Sequence, residues 1–195
     1  IILFINTCGR NYPDVWNEKI DQAMQWLVIM TRPDGLPPLF NDSAYDLTPS
    51  LMDLLSLHEA CGFNAPSPVR QGISDLKHSG YFRYQSEYYS FFCDAGQIGP
   101  DYLPGHGHCD MLSFELYSHG QPIIVNTGTS TYEMGQRRQI ERSTKSHNTV
   151  QIGDTEQSEI WSSFRVARRA ALIGRKVSDH DFSALSIQQS GTHQR

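Results

Sequence analysis

The chain has 195 residues, of which 38% are hydrophobic and 19% charged, with a formal net charge of −5. That length is enough to bury a core, the composition is that of a folded protein rather than a disordered one, and the acidic balance argues against nucleic acid as the partner. No apolar run approaches the roughly 20 residues of a membrane span, and the opening Ile1-Ile2-Leu3-Phe4-Ile5 lacks the basic flank of a signal peptide. With no initiator methionine, the chain is expected to begin within a longer protein.

The first eighty residues read as helical. Asp14 is a cap for a segment whose Trp16, Ile20, Ala23, Met24 and Leu27 recur at helical spacing, and Arg32-Pro33-Asp34-Gly35 ends it. Thr48-Pro49 predicts a second helix through Leu51, Leu54, Leu55 and His58, stopped by Gly62. Ser67-Pro68 predicts a third, shorter helix carrying Val69, Ile73 and Leu76, and Gly35 to Asp46 reads as loop.

From about Gly80 the period changes to that of strands. Candidates are 81–84, 88–93, 111–117, 122–126, 148–152, a run from Phe164 to Ile173, and Phe182 to Ile187. Strands joined by short turns without intervening helices predict an antiparallel sheet, as a sandwich. The predicted organisation is a helical module over 1–79 and a β module over 80–195, both truncated.

The chemistry concentrates in Gly105-His106-Gly107-His108-Cys109-Asp110. On an extended strand His106, His108 and Asp110 share a face, with Cys109 and Met111 turned into packing. A second histidine motif is Ser146-His147-Asn148-Thr149-Val150. The four cysteines, Cys8, Cys61, Cys93 and Cys109, form no C-x-x-C unit and read as buried free thiols. Nine basic residues against four acidic ones lie between Arg137 and Lys176, a local balance suited to an anionic substrate on an otherwise acidic chain.

Three readings of these residues compete. A His-x-His-x-Asp-His metallohydrolase matches His106, His108 and Asp110, but Met111 stands where the last histidine belongs. A cupin places glutamate nearer to its His-x-His than Glu115 lies here. The third takes both histidine motifs together. The run from Asp94 through Tyr102-Leu103-Pro104-Gly105-His106-Gly107-His108-Cys109-Asp110 to Glu115 resembles the start of the C-terminal β domain of heparinase II/III-like polysaccharide lyases. So do Val125-Asn126-Thr127-Gly128-Thr129-Ser130-Thr131-Tyr132, Arg138, Arg142-Ser143-Thr144-Lys145-Ser146-His147-Asn148-Thr149-Val150 and Gln157-Ser158-Glu159-Ile160-Trp161, in order. The helical module, with Pro33-Asp34-Gly35 and Phe40-Asn41-Asp42-Ser43, resembles the last helices of that family's (α/α) toroid.

The resemblance implies a periplasmic or secreted lyase that cleaves an anionic, uronic-acid-containing polysaccharide by β-elimination. It implies His106 and Tyr132 as catalytic residues and Arg138, Arg142 and Tyr102 as substrate-binding residues. It also implies one structural zinc at His108, Asn126 and His147. The family has an aspartate where Asn126 stands, and a neutral amide oxygen is a poorer ligand than a carboxylate; Asp110 is the alternative donor. Nothing here matches the catalytic tyrosine and its helper that the family's toroid supplies, Tyr45 being too late in sequence. The alternative is a carbohydrate-binding β module without turnover.

Overall fold

Two helices and a run of antiparallel strands follow in chain order in the computed structural model, which describes residues 13–178 and the backbone of 181–187. The apolar opening and Cys8 lie outside those residues. Helix α1 spans Val15–Ile29 behind Asp14, which holds the cap position without a side-chain cap bond. Helix α2 spans Leu51–Ala60 and starts later than Thr48-Pro49 predicts. The reason is a capping box: Ser50 accepts from the Asp53 N–H, and the Asp53 carboxylate accepts from the Ser50 N–H, satisfying two otherwise orphaned donors.

The predicted third helix is a strand. Gly72 has a φ of +97°, outside the helical region, and β1 (Gly72–Leu76) pairs along its whole length with β2 (Tyr81–Gln85). Pairing with a neighbour outweighs the weak helical spacing of Val69, Ile73 and Leu76. Strands β3 (Tyr89–Asp94), β4 (Phe114–Ser118) and β5 (Gln121–Ile124) continue an antiparallel meander in the order β1-β2-β3-β4-β5. The sheet thus reaches back to Gly72, ahead of residue 80. Of the remaining candidates, 148–152 supplies a single bridge, Ile152 to Thr155. The 164–173 run divides: β7 (Arg165–Val166) pairs with β6 (Ile160–Ser162), and β8 (Ala171–Ser178) pairs with β9 (Asp181–Ile187). A short helix α3 (Gln136–Glu141) lies between the two histidine motifs.

Register decides what each sheet face does. Arg83, Phe92 and Glu115 are cross-strand partners and share a face with Tyr81, Asp94 and Tyr117. This face meets the helical segment: Met30, Phe40, Phe92 and Tyr117 form the buried core with Trp26, Leu76 and Tyr81 against them. Arg83 fastens it by donating to the carbonyls of Ile29 and Thr31, both at 3.1 Å. The opposite face stacks Phe82, Phe91 and Phe114.

The loop between α1 and α2 enters the β part as a clasp over residues 39–43. Leu39 and Phe40 are buried, and the Leu39 N–H donates to the buried Glu115 carboxylate at 2.8 Å. That carboxylate also accepts from Asn126 N–H and Tyr117 Oη, so one side chain joins clasp, sheet and the following loop. At the clasp's far end the Ser43 carbonyl accepts the Thr129 N–H at 3.0 Å, where Gly128 has a φ of +62°. A Cβ on Gly128 would collide with the Ser43 carbonyl. Gly128→Ala should therefore cost about 2 kcal/mol or more in urea unfolding, through both the left-handed backbone and the lost approach.

Candidate active site

His106 and His108 do not lie on a strand. Pro104–His106 form one 3₁₀ turn and an irregular loop follows, but both histidines still converge, because a single carboxylate gathers them. Asp42, from the clasp, accepts from His106 Nδ1 at 2.8 Å through Oδ2 and from His108 Nε2 at 2.7 Å through Oδ1. Arg138 grips both oxygens of the same carboxylate, one through Nη1 and the other through Nη2 at 2.7 Å, and Thr129 Oγ1 adds a contact at 3.2 Å. Burial opposes the charge on Asp42, but hydrogen bonds from His108 and Arg138 hold its carboxyl well below the usual carboxylate range. It is an acceptor only, so both histidines donate to it.

The two histidines differ in surroundings. The His106 side chain is 68% exposed, whereas that of His108 is completely buried. Burial lowers the His108 pKa against the pull of Asp42. With Arg138 already neutralising the carboxylate, the His108 contact is a hydrogen bond from a neutral ring rather than an ion pair. Tyr132 stands beside His106, edge to face at 6.3 Å between ring centroids, and its Oη donates to the Asp42 carbonyl at 3.1 Å. It is partly exposed, so it and His106 form the open rim of the site.

Behind His108 lies His147, its Nε2 at 3.3 Å from His108 Nδ1. His147 Nδ1 donates to Asn126 Oδ1 at 2.8 Å, an oxygen that also accepts the Thr127 N–H. Burial pushes His147 down to about 4, against the Glu141 carbonyl. With His108 donating from Nε2 and His147 from Nδ1, the two neutral rings present lone pairs to each other. Asp110 offers a carboxylate oxygen to the same spot, the three donor atoms lying within 4.8 Å of one another. Asp110 is buried, which raises its pKa, and one of its oxygens accepts the Asn41 N–H at 2.6 Å. Two facing lone pairs and a carboxylate, with Asp42 and Asn126 fixing the tautomers behind the rings, fit a metal ion. Asn126, the third donor expected from the sequence, has its oxygen on the far nitrogen of His147, and the third donor atom close to the two rings comes from Asp110.

A second buried carboxyl adjoins this cluster. Asn41 donates Nδ2 to Asp94 at 2.9 Å and accepts the His108 N–H at 3.1 Å. Burial and the neighbouring Asp110 push the Asp94 carboxyl up to about 8.

The arginines expected to bind substrate are buried. Arg138 and Arg142 are both 0% exposed. The Arg138 guanidinium is occupied by Asp42, Thr129 and the carbonyls of Gly105 and Ser163. Arg142 donates to the carbonyls of Gly107 and Ser162, tying down the loop that carries His106. Tyr102 is 88% exposed, and among the described residues no hydrogen bond or ring contact joins it to His106. Cys93 and Cys109 are buried free thiols and Cys61 is half-buried. Asp42 has no role in the sequence-based expectation, although three of the site's side chains bond to its carboxylate. Its one signal in the sequence is a polar Asn41-Asp42-Ser43 run that follows the apolar Leu39-Phe40.

The family profile described as heparinase II/III-like, C-terminal, matches residues 68–194. The chain belongs to this family. The match takes in the whole meander, both histidine motifs and Tyr132, while Asp42 lies ahead of it. A search of curated proteins gives no significant match. Among solved structures, a heparinase III superposes with a TM-score of 0.61 at 17% identity, over 85% of this chain and 29% of that one. The heparan sulfate lyase HepC from Pedobacter heparinus gives 0.63 at 14% identity, over 92% of this chain and 30% of that one. These likenesses are of fold, and the chain spans under a third of the length of either lyase. Among the described residues no helix is long and apolar enough to cross a membrane.

The buried histidine predicts a direction for acid sensitivity in metal-free protein. His147 binds its proton less readily folded than unfolded, so stability is full above the unfolded value near 6.5 and falls as the pH drops towards 4. The loss should reach about 3 kcal/mol. Urea unfolding between pH 7 and 4 should show a shallower slope for His147→Gln than for wild type.

Proposed function

We propose that this chain carries the β-domain half of the active site of a polysaccharide lyase acting on a uronic-acid-containing polymer by β-elimination. The observation that carries the reading is an exposed imidazole, His106, held against a buried carboxylate and flanked by Tyr132, in a chain of the heparinase II/III-like family. The reaction needs a group that removes the proton alpha to the uronate carboxylate, a donor for the departing glycosidic oxygen, and directed donors for the enolate. His106 and Tyr132 are the two proton-exchanging side chains on the open rim, and they serve the first two needs.

The buried arginines support this rim rather than touch substrate. Arg138 fixes Asp42, and Arg142 fixes the loop on either side of His106. Neutralisation of the uronate carboxylate falls to groups outside the described cluster, contributed by the toroid of which α1 and α2 are the last helices. The β part is the start of a sandwich, and the protein works in the periplasm or outside the cell, where such polymers are met.

We also propose one structural zinc held by His108, His147 and Asp110. When bound, it supplies positive charge that locks the two rings and, through the His108–Asp42 bond, stiffens the support of His106. The residues of the rim carry the proton transfers. Metal analysis should find about one ion per chain, and Asp110→Asn should weaken its retention on dialysis.

The full-length protein, incubated with heparan-like, alginate-like and other uronate polymers, should generate the ultraviolet absorbance of an unsaturated uronate. His106→Ala should lower kcat by about 100-fold or more with the fold intact. Binding of those polymers without any absorbance would replace this reading with a non-catalytic carbohydrate-binding module.

A further inference from the structure

We infer that Asp42 is a positioning residue for His106, setting which ring nitrogen of that histidine carries the proton and leaving the other as a lone pair on the open side of the site. The inference rests on the reading of His106 as the reaction histidine, but its geometry stands on its own.

An imidazole that is 68% exposed is ordinarily free to rotate about its side-chain bonds and to carry its proton on either nitrogen. His106 has neither freedom. Its Nδ1 lies 2.8 Å from Asp42 Oδ2, and an ionised carboxylate accepts and never donates. The neutral ring therefore holds its proton at Nδ1, with Nε2 bare. No other hydrogen bond to the His106 ring is formed among the described residues.

The carboxylate that imposes this is immobile. Arg138 closes on both oxygens as a fork, His108 donates to the other oxygen, and Tyr132 donates to the Asp42 carbonyl. The backbone is pinned on both sides, at Asn41 N–H by Asp110 and at the Ser43 carbonyl by Thr129. A purely structural ion pair would need only Arg138, which sits completely buried and already has Thr129 and two carbonyls as further acceptors. The bond to exposed His106 adds little to stability at such a solvated position. What it does is select one tautomer and one orientation of a ring that faces solvent. The arrangement follows the logic by which a buried aspartate orients the histidine of a hydrolytic triad.

Removing Asp42 also unpairs Arg138, so the test separates orientation from folding. In the full-length protein, long-range ¹⁵N spectra followed through a pH titration, with His106 assigned by its loss in His106→Ala, should show the neutral form of the ring with Nδ1 protonated and Nε2 bare. Asp42→Asn should give a mixture of tautomers, and Asp42→Glu, which keeps a carboxylate, should restore the wild-type pattern at least in part. Kinetically, Asp42→Asn should lower kcat roughly 100-fold with KM changed less than about threefold. In a His106→Ala background the same substitution should change kcat by no more than about twofold, because the two act as one unit. A neutral wild-type His106 ring protonated at Nε2, or equal losses from Asp42→Asn with and without His106, would overturn the inference. If Asp42→Asn does not fold, the wild-type spectrum and Asp42→Glu decide it. If no uronate polymer is cleaved, the reading of function fails while the spectra still decide the role of Asp42.

Discussion

The structure of this site depends on one buried ion pair, Asp42 with Arg138. Each member is costly to bury alone, and each is saturated by the other plus neutral partners, so neither can be replaced without leaving a charge stranded. Because the carboxylate has lone pairs to spare after the guanidinium is satisfied, it can gather two histidines that the chain delivers from an irregular loop. The pair is thus both the closure between clasp and β part and the template on which His106 and His108 are gathered.

Around it, burial sorts chemically similar groups into different states. His106 and His108 are two residues apart and bind the same carboxylate, yet one faces water and the other lies beside His147 in a pocket that keeps both buried rings uncharged. Among the carboxyls, Asp42 has a cation and stays ionised, while Asp94 and Asp110 have mainly amide donors and each other, and shift upward. The two uncharged rings keep lone pairs that face each other beside the Asp110 carboxyl.

Much of this was legible in the residues. The aromatic-rich runs 81–84 and 88–93 and the alternation from Met111 to Tyr117 mark three strands of the meander, and the two histidine motifs do meet in space. Local signals failed where a distant partner decided the outcome. Residues 72–76 carry apolar spacing compatible with a helix, and β2 makes them a strand. Arg138 and Arg142 carry the right charge for a substrate clamp, but their acceptors are carbonyls and a carboxylate up to 96 positions away, which no local pattern reveals. Asp42 stands out in no local pattern, because a lone carboxylate in a loop has no signature until its partners are placed around it.

The separation of those partners has a kinetic consequence. Asp42 reaches His106 across 64 positions and Arg138 across 96, so the site is built almost wholly from long-range contacts. The clasp cannot find its carboxylate's partners until the meander and the loops at 104–108 and 128–138 are already in register, since each closure is entropically costly before its bonds form. Assembly of the rim formed by His106 and Tyr132 is on this ground expected late in folding. The arrangement of His106 and Tyr132 reports on the docking of the whole chain, not on any one of its elements.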